Sequence, residues 1–187
     1  MPLTMLDPNT ALIVVDLQKG IVDRSFVHPI DGVVARSRAL IDAFRERHLP
    51  VVLVNVAGVA PGRTERPPHS GSFPAGWTDF IPELDRQPSD IVVTKRSWGA
   101  FANTDLEGRL KALGVTQVVV TGVATGTGVE ATARQAYEHG FHVTLALDAM
   151  TDARAEAHEY SITNVFPKLG ETGTAQDVID RLPRAST

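Results

Sequence analysis

Residues 118–140 read "VVVTGVATGTGVEATARQAYEHG". An apolar, β-branched run passes through a Gly/Thr turn into an amphipathic pattern with apolar residues at helical spacing. That is a strand, a sharp turn and a helix. In α/β enzymes such a turn presents reactive groups above the carboxyl edge of a sheet. Here it offers Thr125, Gly126, Thr127 and Gly128, with neither Cys nor Ser. "GVATGTG" is not a dinucleotide fingerprint, because its glycines are in the wrong order and it follows a late strand. It is not a P-loop either, since no G-K-[ST] follows. Gly126 and Gly128 permit close approach of a ligand, and N–H groups opening the next helix would face an anion or a developing oxyanion.

Four other runs share the composition of 117–123: 11–15 "ALIVV", 51–56 "VVLVNV", 91–94 "IVVT" and 142–147 "HVTLAL". They are continuously apolar, as expected of parallel strands covered on both faces. Helical patterns fall between them. Residues 31–48 place Val34, Ala35, Leu40, Ile41 and Phe44 near one stripe, with Pro50 as a stop. Residues 103–114 carry a capping-box pattern, with Thr104 as N-cap, Glu107 three residues on and Gly114 at the end. Helices are also expected over 128–139, 152–166 and, capped by Thr174, 175–182. The alternation predicts one α/β domain spanning 1–187, a Rossmann-like three-layer α/β/α sandwich with right-handed crossovers. Residues 57–78 interrupt the rhythm with four Gly and four Pro; aperiodic loops of that length are usually lids or partner contacts.

Composition narrows the function. The chain has 187 residues, a net charge of −4 and no cysteine. Without a basic stripe, nucleic acid is not an expected partner. No run is long enough to span a bilayer, and "MPLTMLDPNT" lacks the pattern of a secretion signal. Cytoplasm is the default expectation. The absence of cysteine excludes disulfides, thiolate metal sites and a thiol nucleophile.

Open α/β sheets bind ligands beyond the carboxyl ends of their strands, so residues closing the strands are the candidates. Asp16 directly follows "ALIVV", and a carboxylate there is costly unless paired or used. Lys95 closes "IVVT" and is a natural counter-ion, which would make one of the two tunable in pKa. Arg96 is expected to point the other way. Trp98 and Phe101 are candidates to wall a pocket. Asp148 and Asp152 read as caps for the helix after the fifth strand. His139 and His142 read as surface residues, and His158 as a capping residue or an oligomer contact. Arg63 and Arg66 are placed to meet a carboxylate substrate from the long loop.

Taken together, "ALIVVDLQ", "VVTKRSWGAFANTDLEGRL" and "VVVTGVATGTGVEATARQAYEHGFHVTLALDAMTD" resemble the isochorismatase-like hydrolase superfamily, in order and over nearly the whole chain. The resemblance implies a six-stranded parallel sheet, with a short sixth strand near "LGETG", and an assembly into homodimers or homotetramers. It implies a cis peptide between Val123 and Ala124 that turns backbone N–H groups into the site. Many members act on amides through an Asp–Lys–Cys triad. Carried over, the acid is Asp16, the lysine is Lys95, and Gly128 stands where those members have cysteine. Trp98, Val123, Ala124 and Thr127 fall at positions expected to contact substrate. Losing a nucleophile can cost about a millionfold, so ordinary amides are not the expected substrates, and Thr127 has no adjacent base to activate it. Members that split vinyl ethers protonate an alkene carbon and need no nucleophile. The expected activity is therefore hydrolysis of a small, anionic molecule with Asp16 as general acid and Lys95 as its partner. A catalytically degenerate binding or assembly scaffold is the alternative. Nicotinamidase-like relatives hold a metal after the second strand, but "VNVAGVAPG" offers no such ligands and His69 stands alone. No metal and no cofactor are expected.

Overall fold

A computed structural model describes residues 2–65 and 72–183; Arg66 and His69 fall outside them. The strands are β1 (Thr10–Val15), β2 (Val51–Val56), β3 (Ile91–Lys95), β4 (Gln117–Val123), β5 (His142–Thr151) and β6 (Glu171–Gly173). They form one parallel sheet in the order β3-β2-β1-β4-β5-β6. The chain winds outwards from β1 in one direction and from β4 in the other, so the order reverses between these two central strands. That gap is the topological switch point at which open α/β sheets bind ligands.

Continuous apolar runs become central strands because both faces are covered. Every residue of β1 and β4 is buried. One face carries Ile13, Val54, Val93 and Val120 beneath α3 (Leu106–Ala112), α4 (Glu130–Glu138) and α6 (Phe166–Leu169). The other carries Leu12, Leu53 and Val119 beneath α2 (Ile30–Glu46) and α7 (Ala175–Arg181). The short α1 (Lys19–Val22) and α5 (Ala155–Tyr160) follow the ends of β1 and β5. The three-layer sandwich and the sixth strand are as the sequence implies. Among the described residues no helix is long and apolar enough to cross a membrane.

Several local expectations are corrected. On α2 the buried stripe contains Val33, Leu40, Ile41, Ala43 and Phe44, while Ala35 is exposed. The boundary residue of α3 is Asp105, not Thr104. The Thr104 hydroxyl donates to the Ala100 carbonyl at 2.7 Å and accepts only a long bond from Leu106 N, at 3.4 Å. Glu107 pairs with Lys111 within the helix instead of reaching back. Gly114 does terminate α3, in the left-handed region at φ +71°. β5 runs four residues beyond the expected end, to Thr151, after a register irregularity against β4 between Val120 and Gly122. Asp148 therefore lies inside β5. It accepts from Ala175 N at 2.6 Å and pairs with Arg36 at 3.2 Å, so it serves α7. Thr174 forms the expected capping box, reciprocated by Asp177.

Candidate active site

β1 delivers Asp16 to the switch point. Strict alternation would send its side chain to the face of Leu12 and Val14, whereas Lys95 alternates with Val93 onto the opposite face. Asp16 has φ +54°, in the left-handed region that Asp tolerates better than most residues. Its backbone N–H stays in the sheet, donating to Val54 O at 2.9 Å. The alternation breaks there, and the carboxylate meets Lys95: Nζ donates to Oδ2 at 2.8 Å and to Ser97 O at 3.2 Å.

The pair is almost sealed, with the Lys95 and Asp16 side chains 2% and 9% exposed. Burial pushes the Asp16 carboxyl up to about 6, outweighing the ammonium, whose attraction and hydrogen bond pull it down. Oδ1 is buried and has no hydrogen-bond partner among the described residues. Arg96 is exposed, as alternation requires.

β4 supplies the third element. Gly122 adopts φ +109°, and a Cβ there would lie 2.1 Å from Val15 O; only glycine lets the two central strands approach so closely. The Val123–Ala124 peptide is cis, as the resemblance implies. A π-helical turn, Thr125–Val129, then leads into α4. Gly128 is buried in it beside the pair: a Cβ at this position would sit 3.1 Å from Asp16 Oδ2, 3.1 Å from Val15 Cγ1 and 3.2 Å from Val123 O. Asp16, Lys95 and Gly128 thus converge.

The other expected contacts divide. Val123 is fully buried with its side chain in the core beneath α2, so only its backbone is available to the site. Ala124 and Thr127 are partly buried on the turn. Trp98 is 66% exposed, while Phe101 belongs to the core. The turn offers fewer free donors than expected. Gly126 N donates to Asp152 Oδ2 at 2.8 Å, and the N–H groups of Thr127 and Val129 both donate to Ala124 O at 3.1 Å. Arg63 lies exposed in the long loop. Further along that loop, Trp77 covers Gly20 and accepts from Gly20 N and from Gln18 Nε2.

Residues with no sequence signal tie these parts together. Thr132, buried on α4, donates to Gly128 O at 2.7 Å and accepts from Ala100 N at 3.1 Å, joining the Thr125–Val129 turn to the segment after Lys95. The Thr125 hydroxyl lies 2.8 Å from His158 Nδ1, so His158 serves the turn and not a helix cap. Asp152, expected as a cap, holds Gly126 N and accepts from Arg154 N at 3.1 Å. His139 pairs with Glu107 at 3.2 Å near the surface, and His142 is exposed. Among the described residues no group of three or more His, Asp or Glu side chains is placed to hold a metal ion. A cavity of about 630 Å³ opens at the other end of the strands, over Val51 and Ile91, and no residue of this site lines it.

Comparison with known proteins agrees with this geometry. Residues 10–177 match the isochorismatase domain. The chain is 38% identical to the uncharacterised isochorismatase family protein YwoC of Bacillus subtilis, over 93% of this chain and 94% of that one. It is 30% identical to the ureidoacrylate amidohydrolase RutB of Variovorax paradoxus, over 95% and 83% respectively. The solved structure of an isochorismatase family protein from Burkholderia thailandensis superposes with a TM-score of 0.91 at 42% identity, covering 95% of this chain and 97% of that one. By domain, sequence and fold, this chain belongs to the isochorismatase family of hydrolases.

Proposed function

We propose that the chain hydrolyses a vinyl ether in a small anionic molecule, with Asp16 as general acid and without a covalent nucleophile. The observation that carries this reading is the Asp16 carboxyl, pushed up to about 6 by burial while its Oδ1 lies unpartnered. At pH 7 about one molecule in ten then holds the proton. Lys95 occupies Oδ2, leaving Oδ1 as the oxygen that carries it.

The proton moves from Oδ1 to the terminal alkene carbon, and the C=C electron pair forms the new C–H bond. The resulting oxocarbenium carbon takes up water. The added water returns one proton to Asp16, and the other passes from the hemiketal hydroxyl to the leaving oxygen as the C–O bond breaks, releasing a ketone and an alcohol. Lys95 holds the carboxylate formed in the first step through its short charge-assisted bond. Gly128, which we place at the position of the cysteine in amide-cleaving relatives, puts no side chain against Asp16 Oδ2. RutB and related amidohydrolases are similar in sequence, but a chain without cysteine has no thiol with which to attack an amide.

The test is pyruvate release from isochorismate by the protein and by Asp16→Asn. Turnover is expected in the first and a loss of about 10²–10⁴-fold in the second. Undiminished activity in Asp16→Asn overturns the reading, and no turnover by either variant favours the binding scaffold.

A further inference from the structure

The turn that carries Gly128 has no side-chain cap of its own. It is gripped from outside at two consecutive residues, Thr125 by His158 at 2.8 Å and Gly126 by Asp152 at 2.8 Å. Both grips come from the segment that runs from the end of β5 into α5. Thr125 is completely buried, and the bond the structure gives its hydroxyl is the one to His158. Gly126 is pressed by the same segment: a Cβ there would lie 3.2 Å from Ala157 Cβ. His158 is itself steadied. Its ring centroid lies 4.8 Å from that of His28, whose Nδ1 is 3.0 Å from Thr151 Oγ1 at the end of β5.

The geometry points to His158 as a positioning residue: by holding the Thr125 hydroxyl it fixes the turn, and with it Gly128, against Asp16. The inference rests on the site assignment above, but the contact on which it stands is independent of the substrate. His158 belongs to neither core cluster and lines cavities of about 360 and 410 Å³, so exchanging its ring does not empty a packed interior. Burial and the neighbouring His28 hold its pKa below the ordinary histidine value, against the pull of Asp152 and Glu159. A neutral ring suits a neutral hydroxyl partner.

The experiment measures amide hydrogen exchange across Thr125–Val129 by NMR in the parent protein, Thr125→Val, His158→Phe, the double variant and His158→Asn. The two single variants should speed exchange of the turn amides about tenfold, with the remaining core amides unchanged. The double variant should go no further than the faster single variant, because both remove one bond. His158→Asn, whose carboxamide replaces Nδ1, should restore exchange to within about threefold of the parent. With a turned-over substrate, kcat should fall about 10- to 100-fold in His158→Phe while KM changes little. Unchanged exchange in the turn overturns the inference, and so does a uniform rise across the core. If exchange responds as expected but isochorismate is not cleaved even by the parent protein, the positioning role stands and the proposed reaction fails.

Discussion

Removing the ammonium from Lys95 offers a demanding test of the site. Two opposing effects act on Asp16: burial raises its pKa and the ammonium 2.8 Å away lowers it, and together they leave it at about 6 against the ordinary 3.8. A general acid works in its protonated form. In the parent protein kcat/KM should therefore be level below about pH 5, halve near pH 6 and fall about tenfold per unit beyond. Lys95→Met keeps an unbranched side chain of similar length and removes only the lowering influence. An opposite charge at this range is worth about 1–3 units, so the midpoint should climb from about 6 to about 7–9. The assays are kcat/KM from pH 4.5 to 9.5 and, independently of turnover, the ¹³C shift of the Asp16 carboxyl. Stability carries the same sign. A folded-state pKa above the unfolded one favours the fold at low pH. This group's contribution should be fully present below about pH 4 and lost as the pH rises through about 6, a change of about 3 kcal/mol. An activity that rises through pH 6 would mean Asp16 acts as a base. A midpoint that stays put in Lys95→Met would mean the ammonium does not govern it. Either result refutes the argument.

Gly128→Ala places a methyl 3.1 Å from Asp16 Oδ2 and Val15 Cγ1, where the neighbours must give way; urea denaturation should show a loss of about 1–3 kcal/mol. The Asp90 side chain is 1% exposed and is held by Arg45 at 2.6 Å and by Gln87 N at 2.7 Å. Asp90→Asn removes the closer of Arg45's carboxylate partners, leaving Asp42 at 3.8 Å, and should cost about 3 kcal/mol, with little change in kcat/KM. Thr174→Ala removes the capping box of α7 and should lower stability by about 1 kcal/mol by the same measurement.

Which of these features were legible in the sequence follows from where their causes lie. The strands were, because a parallel strand buried on both faces must be apolar throughout, and β1 "TALIVV" shows this in six letters. Asp16 and Lys95 were, because a charge directly after such a run has no ordinary place to go. The supports of the turn were not. His158 lies 33 residues from Thr125 and Thr132 lies 32 from Ala100, and neither histidine nor threonine breaks a pattern on the face of a helix. Helix starts were misjudged where a side chain had a nearer partner. Thr104 is a good cap by type, yet its hydroxyl takes the Ala100 carbonyl. Trp98 is exposed because the segment after β3 lies at the surface, although its type alone predicts burial.

With a pKa near the working pH, Asp16 is placed to give a proton or to take one. The carboxylate–ammonium pair alone does not choose between an acid that protonates an alkene and a base that strips a thiol. The choice comes from what stands opposite. The chain has no thiol anywhere, and the residue facing Asp16 Oδ2 is Gly128, with no side chain to deprotonate. Thr127, the adjacent hydroxyl, lies 3.5 Å from Ala124 O and has no contact with Asp16 or Lys95. A base here would find no side chain on Gly128 to activate. The burial that would hinder an Asp from ionising is what keeps a proton available in it. Donation, the direction we propose, fits both facts, and a reaction begun by donation needs no covalent nucleophile.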